Sequence, residues 1–170
     1  MTKKRSKTYT LTLTGIFAAL ITIFTAYIGH VPVGINGGYI HFGDGLIYLA
    51  ATILPLPYAM LAGAIGGGLA DLLTAPAWTV ATVIIKSLIV IPFTNKAATI
   101  LNKRNIAALV VSYFISATGY YLAEALLFGT KAALITSFSG SFVQSFGSMI
   151  FFLMLGTTLD KFGFKARSEA

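Results

Sequence analysis

The fold of this chain depends on one uncharged stretch near its middle, Leu46-Ile-Tyr-Leu-Ala-Ala-Thr-Ile-Leu-Pro-Leu-Pro-Tyr-Ala-Met-Leu-Ala-Gly-Ala-Ile-Gly-Gly-Gly-Leu-Ala70. A helix that crosses a bilayer needs about 20 apolar residues, so the stretch is long enough for one tilted span. The segment Pro55-Leu-Pro57 favours a different interpretation, because proline interrupts a helix. We therefore weigh one span against two short ones, near 39–54 and 58–73.

The composition is that of an integral membrane protein. Of the 170 residues, 56% are hydrophobic and 10% are charged, and the mean hydropathy is +0.84. A soluble domain carries about 25% charged residues, so this chain lacks the polar surface of a water-facing globule. The absence of cysteine excludes disulfides, thiolate metal sites and cysteine nucleophiles.

Basic residues indicate how the chain crosses the membrane. Cytoplasmic loops are enriched in Lys and Arg, and ten of the twelve basic residues form three clusters. The first two clusters share one side only if an even number of spans separates them, which favours two short spans over one long span. We interpret the net charge of +7 as a sign of membrane orientation and expect no nucleic-acid partner. The clusters are Lys3, Lys4, Arg5 and Lys7; Lys96, Lys103 and Arg104; and Lys161, Lys165 and Arg167.

The sequence thus predicts an all-α integral membrane protein, a six-transmembrane-helix bundle with both termini cytoplasmic. We expect a single membrane domain over residues 1–170, multi-pass in the cell membrane of a bacterium. The outer loops would lie at 29–38 and 128–139. The first is rich in glycine and is either a mobile lid or a passive connection, and the second is a further candidate lid. The predicted spans lie near 8–28, 39–54, 58–73, 79–94, 106–127 and 140–159.

Polar side chains inside the predicted spans converge on the outer half of the membrane. Such residues are costly in a bilayer and usually face a cavity or a partner. Lys86 lies seven residues into its span, roughly 10 Å deep. A pocket that stacks and orients a planar ring would explain why several helices contribute polar groups at one depth. The predicted substrate-binding residues are Trp78, Lys86, Tyr120, Tyr121, Glu124, Gln144, Asn36 and His41.

A structural interpretation of the same residues stays open. In it, Lys86 and Glu124 neutralise each other, Gln144 bonds a neighbouring helix, and the aromatic side chains form an interface belt. His41 taken alone is more typical of a loop or a cap, and Asp44 is a candidate cap of the second helix.

The first predicted span carries a stripe of small residues, Gly15, Ala18, Ala19 and Thr22. Small residues four apart allow close helix–helix approach in lipid, so the stripe is a candidate docking face for a partner. Packing against the chain's own helices is the alternative.

Motifs for independent chemistry are missing from the sequence. It has no phosphate loop ending in Lys-Ser or Lys-Thr, no His-Glu-x-x-His helix and no G-x-S-x-G elbow. We therefore expect a transport subunit without its own ATPase, with no catalytic residue, no metal site and no cofactor. A binder that takes its energy from other subunits fits these absences.

The chain resembles the substrate-binding S components of energy-coupling factor (ECF) vitamin transporters. The resemblance rests on size, six spans, the small-residue first helix and two adjoining segments. They are His41-Phe-Gly-Asp-Gly-Leu-Ile-Tyr-Leu-Ala-Ala-Thr-Ile-Leu-Pro55 and Tyr58-Ala-Met-Leu-Ala-Gly-Ala-Ile-Gly-Gly-Gly-Leu-Ala-Asp-Leu-Leu73.

The resemblance implies partners and a substrate. An A-x-x-x-A stripe docks the family's first helix onto the transmembrane subunit EcfT, and Gly15 and Ala19 match its positions. Two EcfA-type ATPases would use ATP, and a pocket in the outer half would bind a vitamin. The chain is most similar to the HmpT branch, which implies hydroxymethylpyrimidine or vitamin B6 (pyridoxine). The alternative is a self-sufficient secondary transporter or a small homo-oligomeric channel.

Overall fold

The computed structural model describes residues 6–32 and 39–165, with the backbone alone over 130–139. Within these ranges the fold is a bundle of six α-helices with one short antiparallel hairpin, in which Val31 pairs with Ile40. A 3₁₀ turn, Pro76–Trp78, precedes the fourth helix. The helices are α1 Lys7–Ala26, α2 Asp44–Ile53, α3 Leu56–Thr74, α4 Thr79–Leu88, α5 Lys103–Phe128 and α6 Thr130–Lys161, and the strands are β1 Val31–Pro32 and β2 Tyr39–Ile40.

Four of these helices are long and apolar enough to cross a membrane: α1, α3, α5 and the 140–161 part of α6. The prediction of an all-helical membrane protein is therefore confirmed, whereas six spans and cytoplasmic termini stay predictions. The helices α2 and α4 have ten residues each, which corresponds to about 15 Å of rise. Every residue of α2 is buried, so this helix lies inside the bundle.

Three predicted boundaries differ from the structure. The second span was predicted from 39, but residues Tyr39–Ile40 form strand β2 and helix α2 begins at Asp44. The fourth helix ends at Leu88 instead of near 94, because Pro92 has no N–H to donate and disfavours helix before it. Side chains satisfy the backbone carbonyls that follow: Arg104 donates to the carbonyls of Pro92 and Phe93, and Asn105 donates to those of Thr94 and Ile100.

The predicted outer loop at 128–139 is also different. The backbone is helical from Thr130 onward, after Gly129 with a φ of +97°. The segment contains threonine and serine residues at 130, 136, 137 and 139. These residues are compatible with a helix when the segment also contains strong helix formers, and Ala132, Ala133 and Leu134 are such residues.

Glycines let α3 pack closely against two neighbours. A Cβ at Gly66 would lie 2.7 Å from Ile21 of α1, and a Cβ at Gly63 would lie 2.8 Å from the Lys86 carbonyl of α4. The Thr22 hydroxyl adds a bond from α1 to the carbonyl of Gly66 at 3.1 Å. Close backbone approach of this kind is how helices associate in lipid. It places α4 directly on α3.

The two ends of the bundle differ in their polar groups. At one end the Asp160 carboxylate accepts the N–H groups of Ile100 and Leu101, and Lys165 donates to the carbonyl of Asn95. The segments around the second and third basic clusters therefore share this end. At the other end, called here the polar end, lie the start of α2, the end of α3, the start of α4 and the end of α5.

Candidate functional site

The centre of the polar end is an ion pair between Lys86 and Asp44. The Lys86 ammonium lies 2.8 Å from Oδ1 and 2.9 Å from Oδ2 of the carboxylate. The two side chains are 1% and 0% exposed. Gln144 of α6 donates its amide to the same Oδ2 at 2.9 Å. One carboxylate thus joins α2, α4 and α6, and we call these three residues the polar triad.

The triad differs from the sequence interpretation in one partner. Among the described residues, Lys86 pairs with Asp44, and no ion pair joins it to Glu124. Asp44 was a candidate helix cap, but Gly43 occupies the N-cap position and the Asp44 side chain faces Lys86. The signal that pointed to Asp44 was its place beside an apolar helix, since an intramembrane lysine requires a counter-ion.

Aromatic rings cover one side of the triad. The Lys86 ammonium lies 5.1 Å from the ring centroid of Tyr120, within the range of a cation–π contact. The Tyr120 hydroxyl is 2.9 Å from Oγ1 of Thr82. Trp78 follows at 6.0 Å between ring centroids, and Phe128 lies 5.7 Å beyond it. Three of the predicted residues, Trp78, Lys86 and Tyr120, therefore form one continuous chain of contacts.

The β-hairpin closes the same end through Tyr39. Its hydroxyl donates to the Asp71 carboxylate at the end of α3. Its ring stacks on His30 at 4.0 Å and lies 5.5 Å from the ring of His41. Tyr39 and Asp71 were not among the predicted site residues. Tyr39 fastens the hairpin to the bundle.

His41 is buried beside the triad, and its ring accepts a hydrogen bond from the backbone. Its Nδ1 accepts the N–H of Gly43 at 3.0 Å, so the ring proton sits on Nε2. Burial lowers the pKa of His41 to about 3, with the Lys86 charge acting in the same direction and Asp44 opposing it. The imidazole is therefore neutral at physiological pH, and it holds the turn that leads into Asp44.

The remaining predicted site residues are placed less centrally. Glu124 is buried on α5, one turn beyond Tyr120, and Tyr121 is half-buried. Asn36 lies outside the described residues. The described residues hold no group of three side chains able to ligate a metal ion.

The stripe of small residues on α1 divides between two faces. Gly15 and Ala19 are exposed, and a Cβ at Gly15 would meet nothing within 4 Å. Ala18 is buried against Gly66, and Thr22 bonds the Gly66 carbonyl. Half of the stripe therefore packs internally, and the Gly15–Ala19 half is exposed.

The described residues thus form a helical bundle with four membrane-capable helices and a buried polar triad beside aromatic rings. Residues 5–161 match the family model of the ECF-type riboflavin transporter, S component. The chain belongs to this family, whose members are transport subunits and not enzymes. The predicted family is thereby confirmed, and the HmpT branch stays a prediction.

A curated relative carries no functional name. The chain is 27% identical over 143 residues to an "Uncharacterized protein in gap 3'region" of Pyrococcus woesei. The match covers 83% of this chain and 95% of that protein. The similarity therefore extends over nearly the full length of the relative.

Proposed function

We propose that this chain is the high-affinity substrate-binding S component of an ECF-type importer. It captures a small aromatic vitamin or precursor, pyridoxine or hydroxymethylpyrimidine, and delivers it with EcfT and two EcfA-type ATPases that use ATP. The observation that carries the proposal is the polar triad of Asp44, Lys86 and Gln144 beside Tyr120 at one end of the bundle.

The chemistry of the triad suits a hydroxylated nitrogen heterocycle. Lys86 and Gln144 are donors and Asp44 is an acceptor, so a ring hydroxyl and a ring nitrogen both find partners there. Tyr120 and Trp78 offer ring faces for stacking. These polar groups bond one another, so a substrate must replace each bond that it disrupts, which makes the site selective.

The proposed orientation places the polar end outside the cell and both termini in the cytoplasm, with all six helices forming the membrane domain. Its support is the shared position of residues 96–104 and 161–165 at the opposite end of the bundle. Basic segments stay on the cytoplasmic side. A binding site at the other end then faces the medium from which a vitamin is taken up.

Riboflavin is the competing substrate, because the matching family model carries its name. Its three-ring system needs a larger cavity than a single heterocycle does. A purified chain in detergent is first analysed by native mass spectrometry for a co-purified small molecule. Pyridoxine, hydroxymethylpyrimidine and riboflavin are then compared by thermal shift and by titration.

We expect the chain alone to bind pyridoxine or hydroxymethylpyrimidine tightly. Lys86→Gln should weaken that binding by at least about tenfold, as expected for loss of a charged hydrogen bond. Lys103→Gln, an exposed lysine at the opposite end, is the matched control. If the chain bound riboflavin tightly and neither of the other two compounds, riboflavin would replace the proposed substrate. The proposal that the chain is an S component would stand.

A transport assay distinguishes an S component from the alternative, a self-sufficient secondary transporter or channel. In liposomes the chain alone should accumulate no labelled vitamin, and uptake should require EcfT, the ATPases and ATP. Uptake or leak by the chain alone would establish a secondary transporter or a channel instead.

A further inference from the structure

Three successive glycines of α3 face three different neighbours. A Cβ at Gly66 would meet Ile21 of α1, and a Cβ at Gly68 would meet Cγ2 of Val83 at 2.7 Å. A Cβ at Gly67 would lie 2.9 Å from Cγ of Lys86 and 3.0 Å from Cγ2 of Thr82. Of these three glycines, Gly67 is the one that lies against residues of the candidate site.

Neither neighbour of Gly67 is free to move aside. Cγ of Lys86 belongs to the base of the side chain, and the ammonium at its other end is held by both oxygens of Asp44. Thr82 is β-branched and therefore stiff at χ1. Its hydroxyl is 2.9 Å from the Tyr120 hydroxyl. Extra volume at position 67 must therefore displace a side chain that is anchored at its far end.

A sideways shift of α4 as a whole could also make room for a larger side chain at position 67, but a backbone contact limits it. A Cβ at Gly63 would lie 2.8 Å from the Lys86 carbonyl, so α4 already touches α3 one turn away. An added methyl group at position 67 thus pushes the site-facing side of α4 away from α3. Packed interiors respond to overpacking by such shifts and by off-rotamer side chains.

We propose that Gly67 is a positioning residue of the vitamin site, whose missing side chain sets where the Lys86 ammonium and the Thr82 hydroxyl lie. The role of Gly67 in vitamin binding rests on the proposed function, whereas the contacts of Gly67 do not depend on which vitamin binds. Gly67 touches no substrate; it acts through Lys86 and Thr82. A displacement of a few tenths of an ångström is enough to degrade contacts of 2.8 to 2.9 Å.

The first experiment compares Gly67→Ala with Gly68→Ala in the full-length chain, with pyridoxine, hydroxymethylpyrimidine and riboflavin as titrated probes. Both substitutions add one methyl group to the same helix and the same interface. Gly67→Ala should lower affinity for the probe that wild type binds by about tenfold or more. Gly68→Ala faces Val83 and should leave that affinity within about twofold of wild type. Equal losses in the two variants, or no loss in Gly67→Ala, would overturn the inference.

A rescue experiment separates positioning from general destabilisation. Thr82→Ser removes the methyl group that Gly67 faces and keeps the hydroxyl near Tyr120. The loss of affinity caused by Gly67→Ala should therefore be several-fold smaller when measured in the Thr82→Ser background. An identical loss in both backgrounds would show that the methyl group at position 67 does not act through Thr82 and would count against the inference.

A stability cycle keeps the inference testable if Gly67→Ala folds poorly or if no probe binds. In the Asp44→Asn, Lys86→Ala background the lysine stem is gone and no buried carboxylate is left unpaired. Gly67→Ala should lower the melting temperature less in that background than in wild type. Equal lowering would overturn the positioning role. Absence of binding by the wild-type chain would instead remove the proposed function and leave this cycle interpretable.

Discussion

Lys86 and Asp44 lie 42 positions apart in the chain, and their side chains meet with Nζ 2.8 Å from Oδ1, both out of contact with solvent. The pair explains how a lysine is tolerated in an apolar helix, because a buried charge needs a partner. It also makes the site sensitive to any change in either residue, since removing one partner leaves the other charge buried and uncompensated.

Replacing Lys86 alone should lower the free energy of unfolding more than replacing both Lys86 and Asp44. Lys86→Met should lower the free energy of unfolding by about 3–5 kcal/mol, because the Asp44 charge is left without a partner. The double variant Asp44→Asn, Lys86→Met should recover most of this loss, since neither charge remains. Thermal unfolding in detergent measures both variants. A double variant as unstable as the sum of its single substitutions would contradict the pairing.

Gln144 is expected to contribute through its bond to the charged Asp44. Gln144→Met keeps the length of the side chain and removes the donor. It should lower stability by about 1.5–3 kcal/mol, the range for a hydrogen bond to a charged group, and it should also weaken vitamin binding. Val143→Ala, at the exposed neighbouring position, is the control for a change in α6. Wild-type affinity in Gln144→Met would remove Gln144 from the site.

Tyr39 is expected to control how long the hairpin stays closed. Tyr39→Phe keeps the ring that stacks on His30 and deletes the hydroxyl that bonds Asp71. The dissociation rate of a bound vitamin should rise about fivefold or more, because loss of one hydrogen bond destabilises the closed hairpin by about 1 kcal/mol. Tyr27→Phe, which is 67% exposed, is the matched control. Stopped-flow measurement that finds equal rates in both variants would exclude a latch at Tyr39.

The two faces of α1 should respond differently to added volume. Ala19→Leu enlarges an exposed position and should block assembly with EcfT while leaving the fold and vitamin affinity intact. Ala18→Leu enlarges a position buried against α3 and should lower the melting temperature. Co-purification with EcfT and thermal unfolding give the two readouts. Unimpaired assembly of Ala19→Leu would show that the exposed half of the stripe is not the docking face.

Acidification should destabilise the fold through His41. Its pKa is 6.5 in the unfolded chain and about 3 in the fold, so between these values the unfolded chain binds more protons. The free energy of unfolding then falls with decreasing pH by up to about 1.4 kcal/mol per pH unit. His41→Gln should flatten this dependence between pH 6.5 and pH 4. His30→Gln, the other histidine of the chain, serves as the control, and an unchanged pH profile in His41→Gln would contradict the assignment.

Much of the architecture could be predicted from apolar segments and charges, because these are local properties of the sequence. The location of the site at one end followed from the same reasoning, since Lys86, Tyr120 and Gln144 are costly in lipid wherever they lie. The identity of the partner of Lys86 could not be predicted in this way. Asp44 and Glu124 were both available acids, and only the packing of α2 inside the bundle selects Asp44.

Helix ends were harder to predict for a similar reason. Pro92 disfavours a longer α4, and the turn that follows the helix is stabilised by bonds from Arg104 and Asn105, which reach it from another helix. No periodicity within residues 79–94 encodes those bonds. The division of the α1 stripe likewise depends on which side of α1 contacts Gly66, and that contact is a property of α3.

The complete burial of α2 has a consequence for how the protein is made. Its ten residues are all enclosed by other parts of the chain, so no side of this helix faces lipid in the finished protein. A segment of about 15 Å does not cross a bilayer of about 30 Å by itself. During synthesis, α2 is therefore expected to enter the membrane together with α3, to which it is joined at Pro55, and to become enclosed once its contacts with α6 form.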